Sequence, residues 1–191
     1  MITLRKSEAR RREGDTWHTF SRAQETNATA ERFGSLELLD ESRLSPGASV
    51  PARKGDLIEL LTYVREGALA FEDGTGRSGV VRADEFQTMI LCRGVRHKET
   101  NASAVDRAHV FRIGIHPWEA GAAPELEQKR FTAAARRGSL CLVASPDGRK
   151  DSLRVNQDAL IYSIYSALLE KGKHGSVEAR RAGASVTRRA A

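Results

Sequence analysis

The chain has 191 residues and a mass of 21.0 kDa, with 40% hydrophobic and 29% charged residues, which excludes wholesale disorder and fits one domain plus part of a second. No apolar run approaches the roughly 18 to 20 residues that cross a bilayer, and Met1-Ile2-Thr3-Leu4-Arg5-Lys6 turns polar too early for a secretion signal. The net charge of +6 belongs to the tail: from Lys171 onward six Lys/Arg face Glu178 alone, while the rest carries 25 basic and 24 acidic residues, so nucleic acid is not an expected partner.

In chain order, the first thirty or so residues read as an arginine-rich, irregular arm with one short strand at Trp17-His18-Thr19-Phe20. Phe33-Gly34-Ser35-Leu36-Glu37-Leu38-Leu39 alternates as a strand does, and Ser45-Pro46-Gly47 makes a turn. Between Ile58 and Val110, short apolar runs are broken at Arg65-Glu66-Gly67, Gly74-Thr75-Gly76 and Ala83-Asp84-Glu85. Gly and Asp tolerate the backbone angles of tight turns, so this rhythm predicts a sandwich or barrel of short strands. Ala108 to Ile115 is another strand. Two spans favour helix, Pro124 to Arg137 and Gln157 to Lys171. Leu140-Cys141-Leu142-Val143-Ala144 reads as a buried strand, with Ser152-Leu153-Arg154-Val155 as its hairpin partner. Two cysteines, Cys92 and Cys141, exclude a disulfide framework and a thiolate zinc site, and the expected compartment is the cytoplasm.

Leu61-Thr62-Tyr63-Val64-Arg65-Glu66-Gly67-Ala68-Leu69, then Gln87-Thr88-Met89 and Arg93-Gly94-Val95-Arg96-His97-Lys98-Glu99, resembles the N-terminal cupin domain of the pirin family. Glu127-Gln128-Lys129-Arg130-Phe131, Ser145-Pro146-Asp147-Gly148 and Asn156-Gln157-Asp158-Ala159 resemble that family's bridge into a second cupin domain. The resemblance covers most of residues 5 to 170. It implies an all-β fold: a jelly-roll barrel over residues 1–116, a linker and incomplete second cupin segment over 117–171, and a basic, disordered tail over 172–191. Some bacterial pirin-like proteins act as quercetin 2,3-dioxygenases.

The resemblance also implies a site. Family members hold one metal ion, usually iron, inside the N-terminal barrel with three histidines and a glutamate. Two of the histidines form a His-x-His pair before the Thr-Tyr-Val strand, and the third lies two residues from the Glu. His97 and Glu99 match the later pair, and residues i and i+2 of a strand share a face. The earlier pair falls on Arg53 and Gly55. Glycine offers no ligand, and arginine stays protonated and has no acceptor. The metal site therefore reads as degraded, with His97 and Glu99 as retained metal positions and Glu99 as the catalytic group if the centre is active. No cofactor is expected; iron or another divalent transition metal is the cofactor if the centre works. An inward Arg53 pairing with Glu99 or Glu59 is one expectation. Glu59 matches a family acid beside the site, and His109 and His116 read as structural histidines. Asp84 reads as a turn residue, Trp118 as a core or lid residue and Cys92 as a small turn residue.

The expected function is that of a pirin-like cupin protein without catalysis, binding or regulating an unidentified protein or small molecule. The alternative is a metal-dependent dioxygenase of the quercetin 2,3-dioxygenase type. Exposed strand edges in the unfinished second segment predict a homodimer.

Overall fold

The computed structural model describes residues 34–53, 57–91, 96–118 and 126–163, together with the backbone of 11–14, 18–22, 179–181 and 184–186; of 51–53 it describes the backbone alone. Sixteen strands are present among them: β1 (Arg11–Gly14), β2 (His18–Arg22), β3 (Leu36–Leu44), β4 (Ser49–Arg53), β5 (Ile58–Glu66), β6 (Ala68–Asp73), β7 (Ser78–Arg82), β8 (Glu85–Leu91), β9 (His97–Asn101), β10 (Ala108–Ile115), β11 (Leu126–Arg130), β12 (Cys141–Ser145), β13 (Leu153–Arg154), β14 (Ile161–Ser163), β15 (Ala179–Arg181) and β16 (Ala184–Val186). One four-residue helix, α1, spans Ala133–Arg136 and is capped by the Thr132 hydroxyl. The protein is nearly all β, as expected.

A seven-stranded sheet runs β1-β2-β3-β10-β5-β8-β11, and a four-stranded sheet runs β4-β9-β6-β7. Their inner faces meet in one apolar cluster. Leu38, Leu44, Leu60, Val64, Met89, Leu91, Ala108 and Val110 come from the larger sheet, and Val50, Leu69, Phe71 and Val81 from the smaller. The two-residue alternation of each strand fixes which side chains enter this interior. On β9 they are His97, Glu99 and Asn101, all at most 5% exposed. On β10 the same parity selects Ala108, Val110 and Arg112.

The outer face of the large sheet carries a second cluster. Leu61, Phe86 and Ile115 pack there against Phe131, Val143, Ala144, Leu153 and Val155, so the C-terminal segment lies on the barrel's back. Among the described residues, no helix is long and apolar enough to cross a membrane.

Four expectations change. The arm holds two strands rather than one: the strand expected at 17–20 is matched by β2, which runs on to Arg22 and pairs with β3, and β1 at 11–14 pairs with β2, extending the large sheet. The span Pro124 to Arg137 is not a helix. Leu126–Arg130 pairs antiparallel with β8, and only Ala133–Arg136 is helical. Backbone pairing with an open sheet edge outweighs the local helix preference of Glu-Gln-Lys-Arg, because tertiary context overrides propensity. Within Gln157 to Lys171, residues 161–163 form β14, and residues from 164 lie outside the described set. Leu153–Arg154 is not a hairpin partner of β12: it pairs in parallel, and the antiparallel partner is β14. Left-handed residues Gly148, Lys150 and Asp151 wind the intervening chain round, so it re-enters in the same direction.

The β6–β7 turn is organised by Asp73, which is 3% exposed. Its carboxylate accepts from the Thr75 amide (3.0 Å) and hydroxyl (2.6 Å), and from the Arg77 amide (3.0 Å) and Nε (2.7 Å). Burial alone would raise its pKa, but the donors on Thr75 and Arg77 win and lower it from 3.8 to about 2. A depressed carboxylate contributes stability that is present above its unfolded pKa and is lost as pH falls through the folded one. Asp73→Asn should therefore cost about 1–2 kcal/mol at neutral pH. Its urea midpoint should also fall less than that of the native chain between pH 5 and 2. Parallel acid profiles for the two proteins would contradict this.

Candidate metal centre

β9 runs between β4 and β6, with Arg53 and Asp73 as the backbone partners of His97. From this position His97 and Glu99 point into the barrel side by side, with His97 Nε2 3.2 Å from Glu99 Oε1. Phe71 flanks the imidazole at a centroid distance of 6.4 Å. Asn101, next on the same face, donates to the carbonyls of Ser45 (3.0 Å) and Asp106 (2.8 Å) and ties β9 to the loops around it.

The opposite wall contributes a cation. Arg112 sits on β10 with Asp40 of β3 and Thr62 of β5 as its lateral neighbours. Its side chain is 1% exposed. One terminal nitrogen, NH2, is 2.5 Å from Glu99 Oε2. The other, NH1, donates to the Ser42 hydroxyl at 2.9 Å and lies 3.5 Å from Asp40 Oδ1. Glu99 is thus held at both oxygens, by His97 on one side and Arg112 on the other. Burial would raise the Glu99 pKa; the Arg112 charge, followed by the hydrogen bond from His97, outweighs it and holds the carboxyl well below the usual range. Burial would likewise discharge Arg112, but Glu99 and Asp40 outweigh that and raise its pKa. Both partners are charged and buried. Removing either would leave an uncompensated buried ion, which typically costs about 3–5 kcal/mol.

Among the described residues three buried nitrogens, His97 Nδ1, Arg112 Nε and Arg112 NH2, make no hydrogen bond of good geometry, so the close NH2–Glu99 contact is an ion pair rather than a well-aligned hydrogen bond. A 3.2 Å separation of His97 Nε2 and Glu99 Oε1 also suits two ligands of one ion. The rest of a shell is missing, however: among the described residues no group of three His, Cys, Asp or Glu side chains could hold a metal. The family resemblance puts the other two ligand positions at Arg53 and Gly55, residue types that cannot coordinate a metal, and the Arg53 side chain and Gly55 lie outside the described residues. These residues do not fit a three-histidine, one-carboxylate centre.

No other expected group repairs the set. Glu59 lies on the outer face of β5, beside Leu61 rather than Leu60, and accepts the Asn156 amide at 2.8 Å. The acid expected beside the site therefore faces away from the interior, as strand alternation requires. His109 also faces outward, 2.8 Å from Glu41 and with its ring tilted against Phe111 at a centroid distance of 4.8 Å, and burial holds its pKa low despite Glu41. His116 lies 3.4 Å from Glu37 at the end of the large sheet. Asp84 takes a left-handed turn conformation (φ 67°) and binds Arg136. Cys92 lies outside the described residues. Trp118 is no core residue, being 70% exposed because the neighbouring Pro117 takes the buried position. It borders an open groove of about 580 Å³ with Ser35, His116, Gln157 and Asp158.

Among the described residues the cation beside Glu99 is Arg112, which sequence reasoning missed; the expected pairing of Arg53 falls on a side chain outside the described residues. One signal was available: a lone arginine at an alternate position of an apolar strand, between Val110 and Gly114.

Comparison with known proteins agrees with this architecture. A family model described as Pirin matches residues 2–115. A quercetin 2,3-dioxygenase of Escherichia coli (strain K12) is 36% identical over 185 residues, covering 95% of this chain and 79% of that protein. A pirin-like protein of Caulobacter vibrioides is 30% identical over 157 residues, covering 82% and 66% respectively. Among solved structures, YhhW from Escherichia coli superposes with a TM-score of 0.75 at 34% identity, over 85% of this chain and 70% of that one. Its complex with nickel(II) superposes with a TM-score of 0.74.

Proposed function

The chain belongs to the pirin family, and on that premise we propose that it is a pirin-like cupin protein whose barrel has given up metal chemistry and that acts as a non-catalytic binding or regulatory protein. The observation that carries this is the occupation of Glu99, held by His97 at 3.2 Å and by Arg112 at 2.5 Å, with Arg53 and Gly55 at the positions of the missing histidines. A redox centre needs enough ligands to hold its ion and an open position for dioxygen. His97 and Glu99 supply two ligands. The partner is proposed to be a protein or small molecule, and an open strand edge such as β14 is proposed to pair with a second copy. The proposed compartment is the cytoplasm.

The test is metal analysis and turnover on protein made in iron-supplemented medium. Expected are less than roughly 0.1 metal ion per chain, no loss of quercetin, and a melting temperature that EDTA leaves within about 1 °C. Near-stoichiometric iron or nickel together with quercetin cleavage would establish the second reading, a metal-dependent dioxygenase. That reading is favoured by the ligand-like spacing of His97 and Glu99 and by the similarity to the Escherichia coli dioxygenase.

A further inference from the structure

The geometry points to Arg112 as the barrel's own substitute for a metal ion: a guanidinium delivered from β10 that neutralises Glu99 and Asp40 and keeps the centre folded without an ion. This inference rests on the metal-free reading above and deepens it.

Three observations converge. Arg112 reaches Glu99 across the sandwich, so a single side chain ties the four-stranded sheet to the seven-stranded one. Its two carboxylate neighbours come from β9 and β3, and losing it would take the buried cation away from the ionised Glu99. It is also the one fully buried cation facing this interior among the described residues; Arg136, the other, packs on the outer face against Tyr63 and Phe86. A guanidinium supplies fixed positive charge and directed donors but no lone pair and no coordination position. It can therefore replace the charge of a metal and none of its chemistry. A divalent ion near Glu99 would meet the repulsion of the guanidinium, so Arg112 in this position and a metal beside Glu99 oppose each other.

The test uses Arg112→Gln and Arg112→Lys, alone and with Arg53→His plus Gly55→His, read by thermal melting and by nickel(II) titration calorimetry. Arg112→Gln should lower the melting temperature by about 10 °C, and Arg112→Lys, which keeps the charge, should recover most of it. The triple variant Arg53→His/Gly55→His/Arg112→Gln should bind one nickel(II) and regain its melting temperature on doing so. The two histidines with Arg112 retained should bind nickel at least roughly tenfold more weakly. The inference is overturned if Arg112→Gln melts with the native chain, or if nickel binds equally well with Arg112 present. Should Arg112→Gln give no soluble protein, Arg112→Lys decides: soluble, native-like protein supports the charge role and its absence overturns it. Stoichiometric metal in the native chain is a separate failure, that of the metal-free reading. A metal-free native chain indifferent to Arg112→Gln sinks only the inference.

Discussion

Arg136→Ala should lower the melting temperature by about 10 °C, corresponding to roughly 3–5 kcal/mol. Arg136 is 1% exposed and joins the barrel to the C-terminal segment. Its Nε donates to the Phe131 carbonyl at 2.9 Å and NH1 to the Tyr63 hydroxyl at 2.9 Å, while NH2 binds the Asp84 carboxylate. The guanidinium also lies over the rings of Tyr63 (4.9 Å) and Phe86 (5.5 Å), which themselves stack with centroids 4.3 Å apart. Truncation removes every one of these contacts and leaves the left-handed Asp84 turn without its cation. Arg136→Lys keeps the charge but loses the planar fork and the stacking, so it should recover less than half of the loss. Calorimetric melting of the three proteins checks this. An alanine variant melting within 2 °C of the native chain, about the effect of an ordinary surface substitution, would show that the clip contributes little.

Gly67→Ala should cost about 3 kcal/mol or more, against roughly 1–2 kcal/mol for Gly76→Ala. Both glycines have positive φ, 77° and 90°, so both substitutions carry the left-handed penalty. They differ in space. A Cβ on Gly67 would stand 2.5 Å from the Arg107 carbonyl oxygen and 3.0 Å from Ala108 Cα, whereas one on Gly76 meets nothing within 4 Å. The obstacle at Gly67 is backbone and cannot rotate away. Relief requires displacing the start of β10, the strand that carries Arg112 to Glu99. Chemical denaturation of both variants isolates the packing component. Equal losses would mean that the contact with β10 is relieved without cost.

Strand alternation made much of the site legible in advance. His97 and Glu99, two apart, had to share a face, and they do, on the inner wall of β9. The turns at Gly67 and Asp84 were readable because few residues tolerate their backbone angles. Other readings failed where a partner far along the chain decides. Residues 126–130 became a strand because β8 offered an open edge, and Leu153 paired in parallel because the turn before it coils rather than reverses. Glu59 was near the site in sequence but on the wrong side of the sheet.

By itself, the amino-acid order determined the all-β class, the family pattern and the placing of His97 and Glu99 on one face. Periodicity and residue chemistry are local, so they can be read along a line. Only the folded sheets decided which cation answers Glu99. That choice depends on what β10 and β3 bring across the interior from 13 and 59 residues away in sequence, and alternation says which way a side chain points but not what waits opposite it.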